Sequence, residues 1–587
     1  MLKLPRKAIE KIESAPLTFR SWLISFTAII AVRILVEEWI ASGLKNSTLT
    51  TFFYGISHTF LFFLLSYLLV AFLLRYFLGV ETKKIFSALL FGYFLVITPP
   101  IIDHVISGGG GFWSFYKFDS LRGLGERFLT FFGDRWDLGI TYGVRFEVAA
   151  ALVFIFIYSL IKTSEENFKF EILNFKMISK FLNFINSVLF QNSKFKIQNS
   201  SIFKKITSAL YSLIITFVSY IIFFILGTFP SYLTIFTLGF SKGFLAVRDV
   251  DIAQMFLSPV KIFSREIAEI KSALSIKMVL IYSLMLFAVS VIYLYREYKN
   301  KLLAIIRNSR PPQLIYHLGL FFVGMGIFIA FQGTAPEITL FNLSALALLI
   351  ISIAGSWIAS VIINDIEDEK IDQKTNPNRP FIKKVFVLEE YRKIGQGIFW
   401  VSVIFAAFVS LKIALLLVAY QAIAFLYSSW PLRLKRFPFV STFVSAIASL
   451  MILFSGFILV SPEQNIKNLP NNIIILLVIG FTLSLPVKDF KDIEGDGKEG
   501  VFTIPVFFGE QWGKLIVGGG IFLSYLLSVL LLNEFRLFWW AMLSGGASFW
   551  LVNSMGEGKK INPRNIFWWV MGVVIIYGII LVKTVFL

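Results

Sequence analysis

Long uninterrupted apolar segments dominate this sequence and restrict what it can fold into. Of the 587 residues, 57% are hydrophobic, whereas a soluble globular chain averages about 45–50%. Many of the runs exceed the roughly 18–20 residues that an α-helix needs to cross a bilayer. The sequence therefore predicts an all-α polytopic membrane protein.

The apolar segments fall into two groups, separated by the basic stretch 296–310 and by Pro311-Pro312. We predict about six spans before this stretch and about nine after it. The first group is 20–41, 52–79, 84–106, 139–162, 206–228 and 277–296. The second group is 313–331, 338–363, 396–411, 413–430, 439–460, 471–487, 514–533, 537–553 and 563–585. We therefore predict an N-terminal multi-span domain over 1–295, with a low-complexity cytoplasmic insertion at 165–205, and a second domain over 296–587.

The charge balance orients the second domain. The formal net charge is 55 − 36 = +19, and Lys and Arg collect in cytoplasmic loops of membrane proteins. If 296–310 is cytoplasmic, the basic loops 370–393, 433–436 and 488–514 lie on the same side. We therefore expect an integral protein of the cell membrane whose acidic clusters face the cytoplasm, and we expect no nucleic-acid partner.

Residue types that are scarce exclude several kinds of site. The chain has no cysteine, which excludes disulfides, thiolate zinc sites and cysteine nucleophiles. Its three histidines are scattered along the sequence, so we do not expect a histidine metal site. Any metal chemistry must therefore come from oxygen ligands.

Two acidic clusters follow directly on predicted spans. The first is 364–372 (NDIEDEKID), and the second lies within 488–496 (KDFKDIEGD). Carboxylates beside a bilayer are costly and by default indicate function, although many acidic loops next to membrane helices are merely solvated.

The spacing within each cluster predicts one polar helix face. Asn364, Asp368 and Asp372 are spaced i, i+4 and i+8, and the aspartates 489, 492 and 496 are spaced i, i+3 and i+7. Two such faces opposite one another can hold Mg²⁺, which prefers hard oxygen ligands and is commonly shared with substrate phosphates.

Cationic residues near both clusters complement this prediction. Arg379 follows the first cluster, the segment 427–436 (YSSWPLRLKR) ends in a basic run, and Lys488 opens the second cluster. Arginine binds phosphate oxygens bidentately and lysine acts as a point charge. Acids, metal and bases beside a membrane interior favour a diphosphate with an apolar tail, that is, a prenyl diphosphate.

These residues lead to a family. The first cluster, followed by 378–380 (NRP), resembles the first motif of the UbiA superfamily of intramembrane prenyltransferases. The second cluster, with 503–509 (TIPVFFG), resembles the second motif, and is most similar to the branch that contains digeranylgeranylglyceryl phosphate synthases and chlorophyll synthases.

Two further segments carry the resemblance. The segment 427–436 is similar to the tyrosine-and-basic loop of the family, and 310–312 (RPP) is similar to the entry to its first helix. The resemblance covers about 296–587 and implies a nine-helix bundle. The sequence departs from the family pattern at 381–384 and 437–440, both close to where an acceptor would enter.

The resemblance also implies roles for individual residues. It implies a Mg²⁺ site formed by Asn364, Asp368, Asp372, Asp492 and Asp496. It implies diphosphate binding by Arg310, Arg379, Tyr427, Arg433, Lys435 and Lys488. Asp365 and Asp489 are candidate catalytic residues, which would position the acceptor or act as a base.

The implied reaction is Mg²⁺-dependent transfer of a prenyl group from a polyprenyl diphosphate, such as geranylgeranyl diphosphate, to an acceptor in the bilayer. The acceptor is a glycerol-phosphate lipid or an aromatic quinone precursor. Two alternatives stay open: a membrane terpene cyclase of the same superfamily, and a non-catalytic protein that handles or transports lipids. Homo-oligomerisation is left open, and no motif assigns a function to 1–295.

Overall fold

The computed structural model is built almost wholly of helices, in agreement with the apolar runs of the sequence. It describes residues 3–42, 49–109, 116–133, 140–165, 168, 200–267, 269–332, 335–491, 493–498, 500–556, 561–563 and 565–585. Within these residues, 14 helical segments are long and apolar enough to cross a membrane. The prediction of an all-α integral membrane protein is confirmed.

The chain divides into two compact units. The N-terminal unit comprises Met1–Pro259 and Ala268–Val289, and the C-terminal unit comprises Val260–Ile267 and Ser290–Leu587. The division after Val289 falls within the helix Ile270–Glu297, which also contains the predicted domain boundary at residue 295.

The N-terminal unit contains the six predicted spans and several shorter helices. Its helices are α1 (Lys3–Glu13), α2 (Phe19–Ser42), α3 (Leu49–Leu78), α4 (Thr82–Gly92), α5 (Thr98–Ile106), α6 (Leu121–Leu129), α7 (Tyr142–Thr163), α8 (Ser200–Gly227), α9 (Phe229–Lys242), α10 (Asp249–Leu257) and α11 (Ile270–Glu297). Most of the predicted insertion at 165–205 lies outside the described residues.

The third predicted span of this unit is interrupted. A 3₁₀ segment, Tyr93–Ile97, joins α4 to α5. Arg33 Nη1 donates to the Val96 carbonyl at 2.9 Å, and Gly143 N donates to Asp103 Oδ1 at 2.8 Å. Irregular backbone at membrane depth needs such partners, so the break is stabilised by polar groups of α2 and α7.

Helices of the C-terminal unit cover the nine predicted spans. Eight of these helices are among the 14 described segments long and apolar enough to cross a membrane, and the ninth prediction, 537–553, falls on a helix of 17 residues, Phe538–Ser554. Its elements are β1 (Val260–Ile262), β2 (Arg265–Ile267), α12 (Lys299–Arg307), α13 (Pro311–Gln332), α14 (Leu340–Glu367), α15 (Glu369–Thr375), α16 (Leu388–Val409), α17 (Leu411–Ser428), α18 (Val440–Val460), α19 (Asn471–Ser484), α20 (Ile493–Lys498), α21 (Ile504–Phe508), α22 (Glu510–Leu531), α23 (Phe538–Ser554) and α24 (Ile566–Val585). The β1–β2 hairpin is antiparallel, with Val260 opposite Ile267, and the sequence did not predict it.

Two glycines let α13 and α18 pack backbone against backbone. A Cβ atom on Gly324 would lie 2.0 Å from the Leu453 carbonyl oxygen, and one on Gly456 would lie 1.8 Å from the Phe321 carbonyl oxygen. In a bilayer, helices associate through such small residues because lipid removes the hydrophobic driving force between them. This crossing lies in the core of the bundle that carries the site.

The boundary between α16 and α17 is a single residue, Ser410. Its hydroxyl accepts a hydrogen bond from Ile413 N at 3.4 Å and so caps α17. Helix α16 begins at Leu388, eight residues before the predicted start at 396. The added turns begin with Glu389 and Glu390, acids that suit a helix N-terminus.

Candidate active site

The first acidic cluster follows the predicted helical spacing. Helix α14 ends at Glu367 and α15 begins at Glu369, yet backbone hydrogen bonds continue across the junction. Asp368 N donates to the Asn364 carbonyl at 2.9 Å, and Asp372 N donates to the Asp368 carbonyl at 2.8 Å. Asn364, Asp368 and Asp372 therefore stay in helical register.

Asp365 is the most buried acid of this cluster, at 1% exposed. Its Oδ1 accepts from Arg310 Nη2 at 2.8 Å and from Arg379 Nη1 at 3.0 Å. Its Oδ2 accepts from Asn308 Nδ2 at 2.5 Å and from the Tyr391 hydroxyl at 3.1 Å. Each oxygen of the Asp365 carboxylate therefore accepts two hydrogen bonds from neighbouring side chains. This arrangement favours a role in which Asp365 positions those side chains.

Two of these four partners of Asp365 were not predicted from the sequence. Asn308 and Tyr391 lie in separate segments that only the fold brings to Asp365. The Tyr391 ring lies against Phe381 and Phe386, with centroid distances of 5.6 and 5.0 Å. Phe381 is one of the residues at 381–384 that differ from the family pattern, and its ring packs against Tyr391.

The other two acids of the first cluster also contact predicted phosphate-binding cations. Asp368 accepts from Lys435 Nζ and from Arg433 Nη2 at 2.9 Å. Asp372 pairs with Arg379. Carboxylates at the C-terminal end of a helix face the negative end of its dipole, so these cations stabilise an otherwise unfavourable cluster.

Burial shifts the protonation of two of these groups. Burial raises the pKa of the Asp372 carboxyl to about 6, although nearby Arg379 acts in the opposite direction. Burial lowers the pKa of the Lys435 ammonium, and Asp368 opposes this shift. The pKa of each group is thus set by two opposing effects: burial, which disfavours the charged form, and an ionic partner, which favours it.

Two of the cationic residues adopt left-handed backbone conformations. Arg310 has φ of 50° and Arg433 has φ of 42°. For residues other than glycine this region costs of the order of 1–3 kcal/mol. The ion pairs of these arginines with Asp365 and Asp368 offset that cost and hold the guanidinium groups at the site.

The second acidic cluster does not form the predicted α-helical face. Helix α19 ends at Ser484, and 485–491 form a 3₁₀ segment that contains Asp489. Pro486 lies in this segment and cannot donate a backbone hydrogen bond to an α-helix, which explains the change. Asp496 lies separately in α20, and Asp492 lies outside the described residues.

The fold nevertheless brings the two clusters together. Helices α15 and α20 are in contact. Lys435, which donates to Asp368, also interacts electrostatically with Asp496. Lys488 Nζ lies 5.6 Å from the centre of the Tyr427 ring, and both residues interact electrostatically with Asp489. Acids and bases from four segments thus meet at one end of the bundle.

Several buried donors near this meeting point have no partner within the described residues. They are Arg433 Nε, Arg436 Nε, the Ser429 hydroxyl and the Thr503 hydroxyl. The Arg436 guanidinium lies 4.5 Å from the centre of the Trp430 ring, which fixes its position. Buried donors of this kind need an acceptor, and an oxygen-rich anion would supply it.

A backbone hydrogen bond next to Thr503 connects this residue to the group of buried donors. Phe502 N donates to the Arg436 carbonyl oxygen at 3.2 Å, which joins the second motif to the basic loop. Thr503 and Arg436 both lie within the sequence motifs, but only the lack of a partner for their buried donors among the described residues marks them as candidate phosphate ligands.

The oxygen donors suit a hard divalent cation in chemistry. They are the amide of Asn364 and the carboxylates of Asp368, Asp372 and Asp496. Within the part of the chain that the structure describes, no group of three or more His, Asp or Glu side chains is arranged to hold a metal ion. The Asn364 amide oxygen accepts from the Ser428 hydroxyl at 3.3 Å.

Comparison with known families supports this geometry. Residues 319–578 match the UbiA prenyltransferase family. The matched residues lie within the C-terminal half of the chain. The predicted resemblance is therefore confirmed, and the matched UbiA region contains the first acidic cluster, the basic loop and the second cluster.

Curated relatives of this UbiA region include two digeranylgeranylglyceryl phosphate synthases. The relative from Methanosphaera stadtmanae is 28% identical over 153 residues, which cover 25% of this chain and 52% of the relative. The relative from Sulfolobus acidocaldarius is 29% identical over 187 residues, which cover 30% of this chain and 64% of the relative. The chain thus spans between half and two thirds of the length of these relatives.

Solved structures of UbiA proteins are also similar. A UbiA homologue from Archaeoglobus fulgidus, described as bound to GPP and Mg²⁺, aligns with a TM-score of 0.39 and 20% identity. The alignment covers 48% of this chain and 99% of that protein.

Proposed function

We propose that the chain is a membrane prenyltransferase that moves a geranylgeranyl group from its diphosphate to the hydroxyl of a glycerol-phosphate lipid. The observation that carries this proposal is the group of buried donors at 429–436 and Thr503, beside two acidic clusters. The name of the curated relatives describes a glyceryl phosphate with two geranylgeranyl groups. The matching acceptor already carries one such group.

The proposed binding of the diphosphate uses the predicted cations. Arg433, Lys435 and Arg379 lie among the first acidic cluster, and Arg310 is held beside them by Asp365. Positive groups fixed in advance stabilise charge that develops on a leaving group. Tyr427 and Lys488 flank the second cluster and complete the proposed phosphate site.

The proposed metal site uses Asn364, Asp368, Asp372 and Asp496, together with Asp492. A divalent cation bound there would act as a Lewis acid that neutralises the leaving diphosphate. The donor chemistry supports Mg²⁺ over softer metals.

In the proposed reaction, the C–O bond between the prenyl group and the diphosphate breaks, and its electron pair leaves with the diphosphate. The acceptor oxygen forms the new bond to this carbon and releases its proton. We assign proton removal to Asp489, which follows Lys488 in the 3₁₀ segment after α19. The surrounding helices exclude water, which would otherwise capture the allylic cation. We place this site on the cytoplasmic side, as the basic loops indicate.

The first test is diphosphate release. The purified full-length chain, incubated with geranylgeranyl diphosphate, Mg²⁺ and geranylgeranylglyceryl phosphate, is expected to release diphosphate and form the diprenylated lipid in equal amounts. EDTA is expected to abolish both, and added Mg²⁺ to restore them. Diphosphate can be measured by a coupled colorimetric assay and the lipid by mass spectrometry.

Omission of the acceptor separates this function from its alternatives. A prenyltransferase is expected to release little diphosphate without the acceptor lipid. Undiminished release without acceptor, with a cyclic hydrocarbon product, would identify a terpene cyclase instead. Failure to consume geranylgeranyl diphosphate under any of these conditions would overturn the proposal.

A second test addresses the unpartnered donors. Thr503→Val removes one buried hydroxyl with little change in shape, and is expected to raise the KM for the prenyl diphosphate about 10-fold, because a hydrogen bond to a charged group is lost. Thr442→Val is the matched control, since the buried Thr442 hydroxyl already donates to the Phe439 carbonyl at 2.9 Å. Equal KM values for both variants would remove Thr503 from the phosphate site.

A further inference from the structure

Gln421 in α17 buries an amide group that has no hydrogen-bond partner among the described residues. The residue is 7% exposed, and neither Nε2 nor Oε1 bonds to any described residue. An amide removed from water without a partner is costly. The side chain therefore indicates a polar ligand group or an ordered water in the interior of the bundle.

The position of Gln421 follows from two contacts between α14 and α17. Asn364 and Ser428, each near the C-terminal end of its helix, are hydrogen-bonded, and Ser360 bonds to Tyr420. The two helices therefore run in the same direction. Gln421 precedes Ser428 by two turns on the same face, so it lies about 10 Å deeper along the helix axis.

Ser356 supplies a second unpartnered group at this depth. It lies one turn before Ser360 on the same face of α14 and is completely buried, and its hydroxyl has no partner among the described residues. One turn earlier again, the equally buried hydroxyl of Ser352 donates to the Leu348 carbonyl at 2.8 Å. Of these two buried serines, Ser356 is the one whose hydroxyl lacks a partner among the described residues.

Other polar groups near this level are already satisfied. The Tyr420 hydroxyl and His317 Nε2 are 3.1 Å apart, and His317 Nδ1 lies 2.6 Å from the Gln313 carbonyl oxygen. Trp357 Nε1 donates to the Ser309 carbonyl at 2.7 Å. Among these described groups, Gln421 and Ser356 are the ones without a partner in the protein.

We infer that Gln421, assisted by Ser356, binds the free hydroxyl of the acceptor lipid, whose oxygen attacks the prenyl group. This inference rests on the proposed function. A carboxamide both donates and accepts, and so does a hydroxyl. Gln421 orients the acceptor and takes no proton.

The depth of the site suits this role. A Mg²⁺ ion held by Asn364 and its neighbours would lie about 2 Å from their oxygen atoms, and a bound diphosphate would separate that ion from the carbon that is attacked. The attacking oxygen adds a further distance of about 3–3.5 Å. A nucleophile therefore belongs several ångströms further into the bilayer than Asn364, in the direction of Gln421.

The test compares Gln421→Met and Ser356→Ala with Ser352→Ala, a control that removes a satisfied hydroxyl. Gln421→Met has similar volume but no hydrogen-bonding group, and is expected to raise the acceptor KM about 10- to 100-fold. The KM for geranylgeranyl diphosphate is expected to change less than about 3-fold, because that substrate does not need the amide. Ser356→Ala should show a smaller effect in the same direction, and Ser352→Ala should match the wild type.

A deoxy acceptor, in which hydrogen replaces the hydroxyl, gives a second readout as a competitive inhibitor. The wild type is expected to bind it about 10-fold more weakly than the acceptor, whereas Gln421→Met should bind both alike. The melting temperature of Gln421→Met should not fall, because no protein hydrogen bond is lost.

An unchanged acceptor KM in Gln421→Met would mean that the amide holds only water, and would overturn the inference. A lower melting temperature with both KM values raised would also overturn it, by revealing a structural role. A wild type that forms no product with this acceptor would overturn the proposed function as well. The two failures are therefore distinguishable.

Discussion

Asp368→Asn is expected to lower kcat/KM for prenyl transfer about 10³-fold. The substitution removes the negative charge that orients the phosphate-binding cations and that would bind the metal ion. Asp368 accepts from Lys435 and Arg433, and we propose that it also binds the metal. Asparagine keeps the shape of the side chain, so the loss reports on charge. Steady-state kinetics with purified protein would measure it.

The neighbouring Glu369 provides the control for Asp368. Glu369→Gln makes the same change in charge one residue away, at an exposed side chain, and is expected to keep wild-type kinetics. Retention of turnover within about threefold of the wild type in a folded Asp368→Asn protein would rule out this metal site.

Asp365→Ala is expected to lower the free energy of unfolding by about 3–5 kcal/mol, because it removes a buried carboxylate that two arginines share. Two arginines and two neutral donors converge on this carboxylate. Its removal takes the ion pair from Arg310 and leaves Arg379 with Asp372 as its remaining carboxylate partner. Thermal unfolding in detergent micelles would show the loss as a lower apparent melting temperature.

Glu389→Ala is the matched control for this prediction. Glu389 also pairs with two cations, Arg392 and Lys393, but its side chain is 62% exposed. Exposed ion pairs contribute only about 0–1 kcal/mol, so this variant should melt close to the wild type. Equal melting temperatures for Asp365→Ala and Glu389→Ala would refute the positioning role of Asp365.

The first acidic cluster could be predicted because its geometry is local. The i, i+4 and i+8 spacing of Asn364, Asp368 and Asp372 requires only backbone hydrogen bonds between near neighbours, and these bonds are present. The same argument was wrong for Asp489 and Asp496, since α19 ends at Ser484 and is followed by a 3₁₀ segment that contains Pro486. Pro486, three residues before Asp489, disfavours continuation of the α-helix into the second cluster.

The partners of the acids could not be predicted, because they lie far away in sequence. Lys435 is 67 residues from Asp368, and Asn308 is 57 residues from Asp365. Sequence spacing carries no information about such contacts. It also cannot identify a buried donor without a partner, such as Thr503 or Gln421, since each looks like an ordinary polar residue in a helical membrane protein.

The sequence by itself determined that this protein is a bundle of membrane helices whose residues 319–578 match the UbiA prenyltransferase family, because hydrophobic length and helical spacing are local properties of the chain. Only the tertiary structure decided which cation meets which carboxylate and which buried amide lacks a partner. Those contacts depend on how helices pack, and helix packing in a bilayer is set by close approach of small residues such as Gly324 and Gly456.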